Sequence, residues 1–161
     1  MGVDINRNYD LAFGFDNTGS SNNPCGEDYR GSAPFSEKET QAIKNFLETH
    51  RDVKIALNMH SYGNLLIHPF NYLNFRNERF KKHSLYPNYE RFILEAAVPQ
   101  SYLIGNGPAT VRYMANGEAT DWMLAAMNLL TFSPELCDVN TFFPTQSEVL
   151  KCVKENFPWM M

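Results

Sequence analysis

The chain is short of positive charge, of long apolar runs and of cysteine, and each shortage removes a class of function. Fourteen Lys and Arg stand against 18 Asp and Glu, a formal net charge of -4. With no basic field to draw polyanions, nucleic acid is excluded as a partner, and so is an anionic membrane surface. No apolar run approaches the roughly 20 residues that cross a bilayer. The three cysteines, Cys25, Cys137 and Cys152, form no Cys-x-x-Cys pair and are too few to staple a miniprotein. Free, partly buried thiols are the first reading and a disulfide the second. Histidine is scarce as well. Three residues after His50, His60, His68 and His83 stand Val53, Gly63, Asn71 and Tyr86, so no His-x-x-Glu metal motif occurs in the 161 residues.

What is present suits one core: 43% of the residues are hydrophobic and 14% aromatic, enough apolar mass for a single domain. Residues 14–34 are rich in Gly, Ser, Asn and Pro and read as an ordered surface loop. Ser36 and Glu39 have capping-box spacing, and the helix they introduce would place Ile43, Phe46, Leu47 and His50 on one face. Val53 to Met59 reads as a strand ending just before His60, and Leu65 to Ile67 as a second, stopped by Pro69. Tyr89, Phe92, Ile93, Ala96 and Ala97 recur at helical spacing. Residues 101–117 read as a loop with at most a short strand, 118–128 as a helix, and Leu129 to Phe132 as a buried strand ending near Glu135. Thr145 and Glu148 repeat the capping-box pattern ahead of Val149, Leu150 and Val153. Strands alternating with helices predict an α/β layered fold.

Four polar clusters fall at predicted strand ends or in loops, where α/β folds place their ligands. Asn6 and Arg7 follow Val3-Asp4-Ile5 and could grip a carboxylate, or form only a salt bridge in a turn. His60 suits a metal ligand or proton carrier, or a purely structural role. Tyr113, in a glycine-containing loop, could swing over a ligand or pack. Glu135, between an apolar strand and Leu136, could be a general base or the ion-pair partner of Arg7.

In order, these segments resemble the zinc carboxypeptidase family, whose best-known members are the pancreatic digestive enzymes. Gly2-Val3-Asp4-Ile5-Asn6-Arg7-Asn8 is similar to its Gly-Val-Asp-x-Asn-Arg-Asn block, and Tyr29 to Glu37 to its Tyr-x-Gly-x-x-x-x-Ser-Glu block. His60-Ser61-Tyr62 resembles its zinc-binding His-Ser-Tyr, Tyr113 to Asp121-Trp122 its mobile-tyrosine loop, and Phe132 to Leu136 the strand bearing its catalytic glutamate.

The resemblance implies a three-layer α/β/α sandwich around a mixed sheet, with this chain supplying its second half: residues 1–161 as the C-terminal portion of a single catalytic domain. It implies a protease with peptide or protein C-termini as substrates and one zinc ion as cofactor. His60 would be a zinc ligand and Glu135 the general base. Asn6 and Arg7 would hold the terminal carboxylate, Tyr113 would close over the substrate, and Tyr62 would line the neighbouring subsite. Thr120 falls where the family tunes its pocket for the last side chain, and a neutral residue there leans towards apolar or aromatic ends. The family's His-x-x-Glu ligands and an oxyanion-supporting arginine lie upstream of the Asn-Arg block. The chain is therefore expected to be a fragment, inactive alone and partnered by the missing N-terminal half, with a non-catalytic module that binds peptide C-termini as the alternative. Cys25 would pair with a cysteine before the Gly-Val-Asp block, in a secreted or lysosomal parent.

Overall fold

The computed structural model describes residues 2–96 and 98–160. Its centre is β5 (Leu130–Leu136), whose first five residues are buried, as expected of a strand covered on both faces. β1 (Ile55–Leu57) and β2 (His60–Ser61) pair with β5 in parallel, β3 (Leu65–Ile67) pairs with it antiparallel, and β4 (Leu103–Gly105) runs parallel to β3. The mixed α/β architecture expected from the sequence is present.

The expected strand over 53–59 is shorter, Ile55–Leu57, and His60, expected just past its end, opens a second short strand. Leu57 faces Phe132 and His60 faces Glu135, so the register is the same on both sides of the break. The gap falls opposite Ser133 and Pro134, and a proline has no N–H to give to a ladder. Asn58 still donates its N–H to the Phe132 carbonyl at 2.9 Å. The interruption leaves the chain running straight on, and it sets His60 beside Glu135.

Among the described residues six α-helices accompany the sheet: α1 (Lys38–Thr49), α2 (Glu78–Lys81), α3 (Tyr86–Glu95), α4 (Gly107–Thr110), α5 (Ala119–Met127) and α6 (Gln146–Met160). One apolar core joins Phe132 and Leu66 to Tyr89 of α3, Leu124 of α5 and Trp159 of α6. A second joins Tyr9 and Leu47 of α1 to Trp122 and Met123 of α5. The stretch 101–117, read as mostly loop, contains α4 as well as β4. Ala97, expected in the third helix, lies outside the described residues.

Ser36 does not cap α1. Asn8 donates to its hydroxyl at 2.9 Å, which the hydroxyl passes on to Glu37. Fully buried Asn8 also donates to the Arg30 and Ala33 carbonyls and accepts from Glu37 N–H and Thr40 Oγ1. One amide thus ties the start of the chain to the loop and to α1. Of the face expected from α1, Leu47 alone is buried, while Ile43 and Phe46 are exposed. In α6 the Thr145–Glu148 box forms reciprocally, yet the helix turns Cys152, Asn156 and Trp159 inward and leaves Val149, Leu150 and Val153 exposed.

The cause is a cross-link that the thiol reading missed: Cys152 is disulfide-bonded to Cys137, 15 residues earlier. Asn156 then accepts from Tyr102 Oη and Trp159 Nε1, and so fixes the same face. Sequence spacing alone could not show that β5 ends beside this turn of α6. Cys25 is a free, exposed thiol.

Candidate active site

Asn6, Arg7, His60, Tyr113 and Glu135, four sequence segments apart in the chain, line one cavity of about 190 Å³. A one-turn 3-10 helix, Ile5–Arg7, brings the first two there, because Asp4 caps it by accepting from Asn6 N–H at 2.9 Å. The Arg7 guanidinium is mostly buried. Its Nη1 donates to the Asn6 carbonyl at 2.9 Å. The nearest carboxylate oxygen, on Asp4, is 3.8 Å from Nε, within ion-pair reach but beyond a hydrogen bond, and Nε has no partner. The alternative pairing of Arg7 with Glu135 is absent among the described residues.

His60 presents the lone pair of Nε2 to two side-chain amides, Asn58 Nδ2 at 2.9 Å and Asn6 Nδ2 at 3.5 Å. The Asn6 amide is itself oriented by the Ala119 N–H and Asn58 Nδ2 donating to its Oδ1 at 3.1 and 3.2 Å. Two side-chain amides thus converge on Nε2 and fix the orientation of the ring. Glu135, half-buried on β5, stands across from His60 in the parallel pair. Burial raises its carboxyl pKa, and the nearby His60 charge works against that rise. This is the environment of a carboxylate able to take a proton.

The loop that carries Tyr113 is anchored at its far end. Ala115 N–H donates to the Asn71 carbonyl and Asn116 N–H to that of Gly19, while Tyr9 N–H donates to the Gly117 carbonyl at 2.9 Å. Gly117 has φ +66°, and a Cβ there would collide with the carbonyl of Arg7, so this position requires glycine. Tyr113 itself is 54% exposed at the cavity mouth. Its hydroxyl makes no hydrogen bond among the described residues.

Two predicted site residues stand outside the lining. Thr120 is fully buried behind it, with its hydroxyl on Glu118 and 3.5 Å from Ser133 Oγ. Its side chain is drawn inward by that carboxylate. Tyr62 packs its ring on Phe142, centroids 4.9 Å apart, to one side of the cavity.

The sequence reading missed Glu118, Asn71 and Asn58. Glu118, 3% exposed, caps α5 and lines the cavity. Its Oε2 accepts from Thr120 N–H, Asp121 N–H and Asn71 Nδ2, and its Oε1 from Ser133 Oγ at 2.9 Å and Asn6 Nδ2 at 3.3 Å. Asn71 also donates to the wholly buried Asp121 from its N–H and its Nδ2. Burial, and then the neighbouring Glu118 charge, push the Asp121 carboxyl well up. An acid immediately before a helical pattern was the available signal for Glu118, as an N-cap.

Among the described residues no three His, Cys, Asp or Glu side chains gather as a metal cage. The His60 imidazole at the cavity nonetheless fits one ligand position of a catalytic metal but not a full set.

The zinc carboxypeptidase family model matches residues 1–159. Human mast cell carboxypeptidase A is 32% identical over 152 residues, covering 88% of this chain and 34% of that protein. Mouse carboxypeptidase A1 is 31% identical over 159 residues, covering 98% and 37%. The chain spans about a third of the length of these curated relatives. Bovine thrombin-activatable fibrinolysis inhibitor, solved in complex with tick carboxypeptidase inhibitor, shares the fold with a TM-score of 0.82 at 24% identity, over 99% of this chain and 55% of that one.

Proposed function

This chain belongs to the zinc carboxypeptidase family, and from that premise we propose that it forms the C-terminal portion of a catalytic domain that releases the last residue of peptides and proteins. The observation that carries this is Arg7: a buried cation whose Nε lacks a partner, in the same cavity as His60 and Glu135. A chain-terminal carboxylate would satisfy that donor by charge-assisted hydrogen bonds. Fixing the terminal carboxylate at one end of the cavity makes the enzyme an exopeptidase, since only the last peptide bond then reaches the catalytic groups.

Zinc, when bound in the complete domain, would polarise the scissile carbonyl and acidify a water. His60 is the one ligand this chain would supply, with two more coming from outside it. Glu135 would take the proton of the attacking water and return it to the departing amine. Asn6 would orient His60 through its side-chain amide and the Arg7 guanidinium through its carbonyl, with Tyr113 closing the mouth over the substrate. With one imidazole ligand and no His-x-x-Glu in its 161 residues, the chain alone would not turn over substrate.

The exposed apolar side chains Ile43 and Phe46 on α1, and Val149, Leu150 and Val153 on α6, support a longer domain that covers them. The Cys137–Cys152 disulfide supports an oxidising compartment, secreted or lysosomal. The test is a longer form of the protein. It should bind about one zinc and trim single residues from a peptide; a longer form without a His-x-x-Glu motif, or with it but inert, would end this reading.

A second reading rests on the single imidazole: a module that binds peptide C-termini through Arg7 and Tyr113 without cleaving. Binding of a peptide without hydrolysis by the longer, zinc-loaded form would favour it.

A further inference from the structure

Behind the carboxylate-binding end, the cavity has a wall and a floor of different chemistry. Ile67, Val111 and Ala115 form the apolar part of the lining, and the carboxylate of Glu118 lies with Ser133 and Asn71 in the polar part. Glu118 is almost fully buried, yet no Lys or Arg among the described residues comes within salt-bridge distance of it. All its donors are neutral: two backbone N–H groups, two hydroxyls and two side-chain amides. Arg7, the one guanidinium in the lining, has Asp4 as its carboxylate neighbour.

A buried anion surrounded by neutral dipoles is tolerated, but it gains most from a cation that arrives already desolvated on an apolar stem. Resting on the reading of this cavity as the seat of a peptide's last residue, we propose that Glu118 sets its specificity and that the pocket takes a cationic C-terminal side chain, lysine or arginine. The aliphatic stem lies along Ile67, Val111 and Ala115, and the ammonium or guanidinium meets Glu118 Oε1, where it takes the place of the long 3.3 Å contact from Asn6. The apolar preference inferred from neutral Thr120 is thereby replaced. Thr120 acts behind the pocket, by holding Glu118 through its hydroxyl and its N–H.

Glu118 also caps α5, so a merely structural role has to be separated from a substrate contact. The first measurement needs no variant. The full-length, zinc-loaded protein is given matched peptides that end in Lys, Arg, Phe, Leu or Glu, and kcat/KM is measured for each. Lys and Arg should exceed Phe and Leu by roughly tenfold or more, with Glu poorest. Preference for Phe or Leu would overturn the proposal while leaving the carboxypeptidase reading standing; release from none of the peptides would overturn both. The second measurement is Glu118→Gln, which keeps the cap's acceptor and removes the charge. The Lys-to-Leu ratio of kcat/KM should fall about tenfold or more, with the loss mainly in KM for Lys. A structural residue would depress all peptides alike, and an unchanged ratio would overturn the proposal. If the Gln variant does not fold, the wild-type panel decides alone.

Discussion

His60 on β2 and Glu135 on β5 are register partners in a parallel pair, aligned by a ladder that resumes unshifted past Pro134. A metal-ligand candidate and a base candidate are thus fixed on rigid neighbouring strands, which holds them more precisely than loops would.

On the proposed mechanism, Glu135→Gln in the full-length protein would remove the base and little of the grip on substrate. The expected result is a fall in kcat of about 100-fold or more, with KM nearly unchanged. Steady-state kinetics on one peptide checks it, and retained kcat would remove Glu135 from the base role.

Arg7→Ala removes the buried cation and leaves Asp4 without its neighbour. A charge-assisted hydrogen bond is worth about 1.5–3 kcal/mol, so KM should rise by about 10- to 100-fold while kcat changes less. An unchanged KM would place the carboxylate elsewhere.

Gly117→Ala puts a methyl group against the Arg7 carbonyl at a position with φ +66°. The expected cost is about 1–3 kcal/mol of stability, read as a lower urea midpoint. A parallel rise in KM is expected, because the collision displaces the segment that carries Arg7. Wild-type values for both would mean that the two segments do not press on each other.

The fold was legible where local patterning sufficed. Leu65 to Ile67 forms the strand its β-branched and apolar run implied, and Thr145 with Glu148 forms the expected box. The apolar faces of α1 and α6 were misread because periodicity reports which residues share a face, but not what covers that face. In α6 a disulfide and Asn156 decided it instead. Five candidate residues came from short motifs, and the structure brings these five to one cavity. Glu118 was missed because its part in the lining depends on Asn71 and Ser133, 47 and 15 residues away in sequence. The inward turn of the Thr120 hydroxyl was not legible for the same reason, since it depends on that carboxylate.

His68 gives the fold an acid-sensitive element. Stacked on Phe80 with centroids 4.1 Å apart, it is buried enough to lower its pKa from 6.5 to about 4. The unfolded chain therefore takes up this proton before the folded one. Stability from this group is complete above pH 6.5 and is lost as pH falls towards 4, by at most about 3 kcal/mol. Urea unfolding at pH 7, 5.5 and 4 should show a smaller decline in His68→Gln than in wild type; equal slopes would mean that the imidazole is protonated in the folded protein.

The Cys137–Cys152 bridge closes a 15-residue interval. Replacing both cysteines by serine should cost about 3 kcal/mol and expose Trp159, which packs on the same face of α6. Urea unfolding followed by tryptophan fluorescence measures both effects, and an unchanged midpoint would show that Asn156 alone holds the helix.

The most direct measurement pairs one peptide with its C-terminally amidated twin, each incubated with the full-length, zinc-loaded protein, and identifies the released products. Release of a single amino acid from the free acid, with the amide left intact, is expected if the Arg7 cavity seats a terminal carboxylate. Equal cleavage of the two, or cleavage at internal bonds, would contradict it.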